Sequence, residues 1–416
     1  ALTFGFTLLT TEISIGRITK QSPLTAYSKI KKGWGFMGVI ACLIPMIIMP
    51  YYCVIGGWII KYLVAFLTGD GVTASQDGYF TNFITGDVQP ILFTIIFLCI
   101  TAFVVFRGVE KGIESFSKII MPLLLILVLA IAIFSVTMKF TDAEGVTRTG
   151  LEGLKIYLVP NLEGLTVKQF FSVLLDAMGQ LFFSLSVAMG IMVAYGSYVR
   201  DDANLVSSIN QIEIFDTVVA ILAGVMIIPA VFTFMGTEGM EASGPSLMFI
   251  SLPKVFHAMG GVGIVIGCLF FAMVLFAAIT SSVSIMEAIV ASLMDKFHMS
   301  RIKAAVIETV IALVGGIIVC LGYNKLYFDI ILPNGAHAQV LDVMDYISNN
   351  ILMPIVAIGT CILIGWVAKP KTVIDEVEKT GHKFGRKHLY IVMIKVIAPL
   401  LLVILFLKSL GLLTAI

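Results

Sequence analysis

The sequence predicts an all-α polytopic membrane protein, and composition and pattern carry that prediction. Hydrophobic residues make up 59% of the 416 residues, charged residues only 13%, and the mean hydropathy is +1.03. Soluble domains are about 45–50% apolar and about 25% charged, so this chain has too much apolar surface for a fold in water. The apolar residues form long uninterrupted runs rather than alternating patterns, which argues against an outer-membrane β-barrel.

Ten apolar runs are long enough to cross a bilayer, which takes about 20 residues of helix. No long polar linker separates them, so we predict one transmembrane domain over 1–416. The predicted spans are 1–16, 35–66, 90–106, 115–138, 168–198, 206–235, 259–294, 302–322, 342–367 and 389–413.

Lysine and arginine predict the orientation of the spans, because cytoplasmic loops carry an excess of both. Most of the 27 basic residues fall in alternate loops, which we therefore predict to be cytoplasmic. The first span then begins outside, with no signal peptide before it, and we expect one more helix ahead of Ala1. The predicted cytoplasmic loops are about 17–34, 107–118, 199–205, 295–303 and 368–388.

The sequence has no features typical of nucleic-acid-binding proteins, metalloenzymes or ATP-driven pumps. A net charge of +1 offers no attraction to nucleic acid, and we expect no such partner. The chain has no His-Glu-x-x-His zinc motif and no phosphate-binding loop, so we expect neither an enzyme nor an ATP-driven pump. All six cysteines lie in apolar runs, and we predict buried helix residues rather than a disulfide framework. They are Cys42, Cys53, Cys99, Cys268, Cys320 and Cys361.

Polar side chains in the middle of spans are candidates for a functional site, since a charge there costs about 2.5–3.5 kcal/mol on insertion scales. Asp216 is about ten residues into its span, or about 15 Å deep; a carboxylate hydrogen-bonded to a neighbouring helix is the alternative. Ala277, Thr280 and Ser281 share one helix face and could offer oxygen ligands to a small cation. Helix packing by the hydroxyl groups is the alternative there.

The span 168–198 is long for one straight crossing and has small and polar residues at its midpoint, from Gly179 to Gly190. A broken helix there would offer backbone carbonyls to a cation and a helix N-terminus to a carboxylate. A continuous helix with a seam of small residues is the alternative.

Four further polar side chains need an explanation. Tyr51 and Tyr52 lie near the middle of a span, so their hydroxyl groups require partners. Glu12 is an intramembrane carboxylate with either a structural or a direct role. Asp345 begins a span near the outer surface, where a solvated helix-start carboxylate is the ordinary interpretation.

Polar residues from four different spans fall at a similar depth: Tyr52, Phe183–Ser186, Asp216 and Thr280–Ser281. Independent packing residues have no reason to share a plane. The sequence therefore predicts one polar site in the middle of the membrane, as a carrier needs.

Five segments carry motifs with a specific likeness: Tyr51–Trp58, Lys111–Lys118, Gly179–Gly190, Tyr195–Tyr198 and Thr280–Ser282. Together they resemble the bacterial branch of the neurotransmitter:sodium symporter family. The match runs over nearly the whole chain, and its first and last spans correspond to the family's helices two and eleven. The resemblance implies an inverted-repeat fold with a broken central helix, ten spans present, and alternating access about a central site.

The resemblance implies two sodium sites, with Ser184 and Asp216 at the first. Ala277 (by its carbonyl), Thr280 and Ser281 would ligate the second ion. Tyr52 would bond the substrate carboxylate, and Phe183 would cover the substrate. The implied substrate-binding residues are Ile48, Tyr52, Phe183, Ser184, Ser186, Met189, Ser281 and Ile285.

Gates and supporting residues also follow from the resemblance. Asp345 resembles the acidic half of the outer gate, and Tyr198 and Asp295 resemble the inner gate. Glu12 and Gln180 would support the broken helix. The missing first helix would supply the basic partners of both gates and half of both sodium sites, so we expect this chain alone not to transport.

The implied function is sodium-coupled symport of hydrophobic or aromatic L-amino acids across the inner (cytoplasmic) membrane of a bacterium. Animal relatives have Asn and a nearby chloride where this chain has Asp216, so we expect chloride independence. We expect sodium ions and no organic cofactor, and the lipid bilayer as a partner; a homodimer stays open. An ion channel or sensor on the same scaffold and an inactive partial product are the alternatives.

Overall fold

The computed structural model describes residues 2–142, 145–160 and 164–413, most of them helical. The helices begin with α1 Phe4–Thr19, α2 Pro23–Ile30, α3 Gly35–Leu67, α4 Gly71–Ala74, α5 Tyr79–Ile84, α6 Gln89–Phe106, α7 Val109–Thr137, α8 Gly150–Leu158 and α9 Val167–Ser184. They continue with α10 Ile191–Tyr198, α11 Leu205–Met235, α12 Gly244–Ser246, α13 Leu252–Ala258, α14 Gly261–Phe297, α15 Arg301–Leu321, α16 Val340–Val367, α17 Lys371–Glu378 and α18 Lys387–Ser409.

Irregular turns and two small hairpins complete the secondary structure. π-helical turns occur at Val109–Glu114, Leu247–Ser251, Tyr346–Leu352, Leu363–Val367 and Met393–Ile397, and a 3₁₀ turn at Glu238–Glu241. The antiparallel hairpins pair β1 Lys139–Thr141 with β2 Thr147–Thr149, and β3 Ile330–Ile331 with β4 His337–Ala338.

The predicted spans correspond closely to helices. Among the described residues, eight helices are long and apolar enough to cross a membrane: α3, α6, α7, α11, α14, α15, α16 and α18. The two other predicted spans are the 16-residue α1 and the run 168–198, which the structure divides into α9 and α10. The all-α prediction is confirmed, and so is the broken helix.

The predicted loops contain more helix than expected. Helix α1 continues to Thr19 and α2 follows it, both inside the predicted loop 17–34, and α17 lies inside the predicted loop 368–388. Arg17 lies in the predicted loop 17–34, but its side chain is buried and the residue is only 1% exposed. Its Nε donates to Glu376 Oε1 at 2.5 Å and its Nη1 to the carbonyl of Ala203 at 2.8 Å. A buried guanidinium needs such partners, because an uncompensated buried charge is strongly destabilising.

The chain divides into two compact units. The first comprises 1–52, 165–216 and 282–416, and the second 53–164 and 217–281. In the first unit α1 is buried along almost its whole length, as a helix surrounded by protein must be. A Cβ at Gly16 would lie 2.1 Å from the carbonyl oxygen of Val193, and one at Gly196 2.3 Å from that of Ile13. Helices α1 and α10 therefore cross backbone to backbone, which only glycine permits at these two positions.

The second unit has an aromatic core between α3, α5, the π-helical turn Leu247–Ser251 and α14. Phe80 stacks on Phe249 at a centroid distance of 5.1 Å, and Trp58 meets Phe80 edge-on at 5.2 Å. Tyr62 joins the cluster and donates its hydroxyl to the carbonyl of Phe249 at 2.7 Å. Offset and edge-on aromatic pairs stabilise by about 0.5–1.5 kcal/mol beyond the area they bury.

The prediction for the cysteines needs one correction. No disulfide forms within the described residues, and Cys42, Cys53, Cys320 and Cys361 are buried as predicted. Cys99 is exposed and Cys268 is half-buried. Both lie on membrane-crossing helices, where an exposed face meets lipid, so an apolar run did not require burial within protein.

Candidate functional site

The site begins at the break between α9 and α10, at residues 185–190. Ser186, Ala188 and Gly190 have φ angles of 52°, 62° and 78°, all in the left-handed region. Residues with a Cβ are strained there, and such strain persists only when the surroundings impose it. A Cβ at Gly190 would lie 2.9 Å from the carbonyl oxygen of Ala41, so glycine is required at the start of α10.

A buried carboxylate holds this break from the side. Glu12 on α1 is fully buried, and its Oε1 accepts a hydrogen bond from the Ala188 backbone N–H at 2.7 Å. An amide freed from a helix inside a membrane must find an acceptor, and Glu12 supplies it. Gln180, the other predicted support, is exposed, and its side chain makes no hydrogen bond among the described residues, so its role stays a prediction.

The two residues predicted for the first sodium ion are in contact. Ser184, the last residue of α9, donates its hydroxyl to Oδ1 of Asp216, near the middle of α11. The break thus places a hydroxyl against an intramembrane carboxylate. Oxygen ligands of this kind suit a small, hard cation.

The second predicted sodium site lies on α14, in the second unit. Thr280 Oγ1 donates to the carbonyl of Ala277 at 2.9 Å, and Ser281, one residue on, is exposed. This places the three groups on one helix face, as the spacing predicted. The bond between Thr280 and Ala277 is also what simple helix packing would produce, so this sodium site stays a prediction.

Seven of the eight residues predicted to bind the substrate lie in the first unit, and Ser281 lies in the second. Ile48, Met189 and Ile285 are at most 4% exposed. Tyr52, Phe183 and Ser186 are half-buried. An apolar lining with a few polar groups is the usual composition of a small-molecule site.

Asp345 differs from its predicted environment. It lies within α16, half-buried, and its Oδ1 accepts from the Tyr51 hydroxyl at 3.1 Å and from Asn349 Nδ2 at 2.6 Å. The solvated helix-start interpretation is therefore wrong, because the carboxylate is held by two side chains. Tyr51 thereby has the partner that its burial required.

The two acidic gate residues form no ion pair within the described part of the chain. Asp345 has the neutral partners just described. Asp295, at the end of α14, accepts from the backbone N–H of Ser22 at 2.6 Å.

A charged cluster at the other predicted gate was missed by sequence reasoning. Glu287 on α14 is fully buried, and its Oε1 accepts from the Tyr198 hydroxyl at 2.6 Å. Arg301 at the start of α15 donates to both oxygens of Glu287, at 2.6 and 2.8 Å. The signal was available, because Glu287 is a carboxylate inside an apolar span, the criterion that selected Asp216.

Comparison with known proteins identifies the family of this chain. The Sodium:neurotransmitter symporter family matches residues 84–415. A sodium-dependent transporter of Bacillus subtilis, YhdH, is 32% identical over 99% of this chain and 88% of its own length. The sodium- and chloride-dependent GABA transporter 2 of Homo sapiens is 25% identical over 90% of this chain and 67% of its own length.

The fold agrees as well. The crystal structure of MhsT in complex with L-phenylalanine superposes with a TM-score of 0.83 at 32% identity, covering 98% of this chain and 88% of that one. The match confirms the polytopic helical fold. This chain is a member of the sodium:neurotransmitter symporter family, and so a membrane-embedded secondary transporter rather than an enzyme.

Proposed function

We propose that this protein is a symporter that couples hydrophobic or aromatic L-amino acids to sodium in the cytoplasmic membrane of a bacterium, without chloride. The observation that carries the proposal is the contact between Ser184 and Asp216 at the helix break. MhsT, which shares the fold, was solved with L-phenylalanine bound. The buried side chains of Ile48, Met189 and Ile285 suit an apolar amino-acid side chain.

Coupling between sodium and substrate has a direct physical basis in this arrangement. A sodium ion at Ser184 would lie beside the unwound segment, where Tyr52 would bond the substrate carboxylate. An ion that touches this carboxylate raises the affinity for the substrate, and the substrate raises the affinity for the ion by the same factor.

Asp216 supports the chloride-independent part of the proposal. Its carboxylate places a permanent negative charge next to the proposed sodium ion. A chloride ion is therefore not needed to balance the charge of the sodium ion.

The test is uptake of labelled leucine, tryptophan, tyrosine and alanine into proteoliposomes that contain the protein at its natural length. We expect saturable accumulation that requires an inward sodium gradient, disappears with a sodium ionophore, and persists when gluconate replaces chloride. Excess unlabelled hydrophobic amino acids should compete better than glycine or lysine. Uptake without sodium, or single-channel current in place of saturable uptake, would overturn the proposal.

A further inference from the structure

Four lysine side chains line one cavity between α17 and the start of α18. The positive-inside rule predicts that this end of α18 is cytoplasmic. We call the site the lysine cavity. It has a volume of about 320 Å³, and its lysines are Lys369, Lys371, Lys387 and Lys395.

The positive charge of the lysine cavity is largely uncompensated. Lys369, Lys371 and Lys395 form no ion pair within the described residues, while Lys387 Nζ lies 3.5 Å from Glu378 Oε2. Asp375 is the one acidic residue of the described lining. A concave surface with such an excess of one charge attracts an anion.

The surroundings of the cavity belong to the membrane interface. Trp366, at the end of α16, is 62% exposed, and its Nε1 donates to the carbonyl of Lys395 at 3.2 Å. The Nζ of Lys395 lies 5.8 Å from the centre of the Trp366 ring. Exposed tryptophan at the end of a span marks the level of the lipid headgroups. Val392 and Val396 directly follow the lining residues Ile391 and Lys395 in α18, and both valine side chains are exposed.

We propose that the lysine cavity binds the phosphate headgroup of an anionic phospholipid of the cytoplasmic leaflet. The lysines would neutralise the phosphate, and Ile374 and Ile391 in the lining would contact the glycerol region. The exposed valines of α18 would meet the acyl chains. Basic pockets between spans on the cytoplasmic side are established headgroup sites in other membrane proteins. Because the cavity is lined from α17 and α18, a bound lipid would brace the two helices against each other.

Native mass spectrometry of the detergent-solubilised protein tests this with phosphatidylglycerol against phosphatidylcholine. We expect one phosphatidylglycerol molecule bound in preference to phosphatidylcholine. The double variant K371Q/K395Q should bind it more weakly, by about fivefold for each lysine removed. The matched control is K31Q/K32Q, which removes two exposed lysines from another predicted cytoplasmic loop and should bind as the parent does.

A variant of opposite sign makes the test specific. Asp375→Asn removes the negative charge of the lining and should tighten phosphatidylglycerol binding. Equal binding by the parent, K371Q/K395Q and D375N would overturn the proposal. So would equally tight binding of soluble glycerol phosphate, which would make this a site for free phosphate esters. The readout does not depend on transport, so its failure leaves the proposed function standing, and the reverse also holds.

Discussion

At the scale of single residues, Asp216 is the side chain on which the proposed ion chemistry depends most. Asp216→Asn keeps its shape and removes its charge beside Ser184. We expect sodium-driven uptake without chloride to fall by about tenfold or more, equivalent to about 1.4 kcal/mol. Chloride should restore part of it, since a mobile anion can replace the lost charge.

The measurement is initial uptake in chloride and in gluconate. The control is Asp176→Asn, which removes a carboxylate of α9 that pairs with Lys408 at 2.6 Å, away from Ser184. Wild-type uptake by D216N in gluconate would show that the charge of Asp216 is not needed.

Glu308 on α15 is a residue without a visible structural role. It is fully buried, and neither carboxylate oxygen has a hydrogen-bond partner among the described residues. An unsatisfied buried polar group costs about 1–3 kcal/mol. Glu308→Met, which has a similar length and no polar atoms to satisfy, should therefore raise the free energy of unfolding by an amount in this range.

Thermal unfolding in detergent, followed by size-exclusion chromatography, measures this change. Glu308→Gln is the control, because it keeps a polar group and should gain less. A Met variant less stable than the parent would mean that Glu308 has a stabilising ligand, such as an ion or a water.

At the scale of elements, the crossing of α1 and α10 positions half of the broken helix. Gly196→Ala would place a methyl group 2.3 Å from the carbonyl oxygen of Ile13, so the helices must move apart. Overpacking of this kind costs about 1–3 kcal/mol. We expect lower thermal stability and weaker sodium-dependent substrate binding, measured by scintillation proximity.

The matched control is Gly261→Ala at the start of α14, where a Cβ would meet no atom within 4 Å. If G196A behaves like G261A, the close contact between α1 and α10 is not needed for stability or binding.

The break itself shows how an element can depart from local preference. Ser186 and Ala188 adopt left-handed backbone angles although both have a Cβ. Glu12 compensates by accepting the Ala188 amide. The small and polar residues in this segment are compatible with a break. The Glu12 carboxylate, on another helix, stabilises it by accepting the freed amide.

At the scale of the molecule, one exposed carboxylate links three distant parts of the first unit. Asp201 Oδ1 lies 3.2 Å from Lys379 Nζ and 3.3 Å from Lys20 Nζ. Hydrogen bonds from Lys379 and then Lys20 lower the pKa of Asp201 from its ordinary value of 3.8. Because the pKa of Asp201 is lower in the folded state, its ionised carboxylate stabilises the fold at pH values above the ordinary pKa. This stabilisation is lost as the pH falls through the pKa of the folded state.

We therefore expect Asp201→Asn to lower thermal stability slightly near neutral pH, and the difference from the parent to vanish in acid. High salt should also reduce the difference, because the pairs are exposed to solvent. The control is Asp202→Asn, because the Asp202 carboxylate pairs with the neighbouring Arg200 at 2.8 Å and with no other cation among the described residues. A difference that persists in acid would exclude an electrostatic origin.

Much of this fold could be anticipated from hydropathy. The predicted run 35–66 became Gly35–Leu67, and 206–235 became Leu205–Met235. The predictions that were wrong concern the surroundings of single side chains. Arg17 lies in a predicted loop but is buried in an ion pair, and Asp345 has a predicted solvent environment but accepts a hydrogen bond from Tyr51. A pattern along the chain reports the length and polarity of a helix, whereas it does not report which neighbour a side chain meets.

Hydropathy alone therefore predicted a helical membrane protein and the positions of the eight described helices that are long enough to cross a membrane, because bilayer thickness dictates the length of an apolar run. Intramembrane polarity singled out Asp216 and the segment Phe183–Ser186, and the family resemblance paired Ser184 with Asp216. The folded chain brings these two side chains into contact. The contacts of Glu12 with Ala188, of Glu287 with Arg301 and of Asp345 with Tyr51 could be known only from the folded chain. Each joins residues at least 14 positions apart, and hydrogen bonds over such separations depend on how helices pack rather than on local sequence.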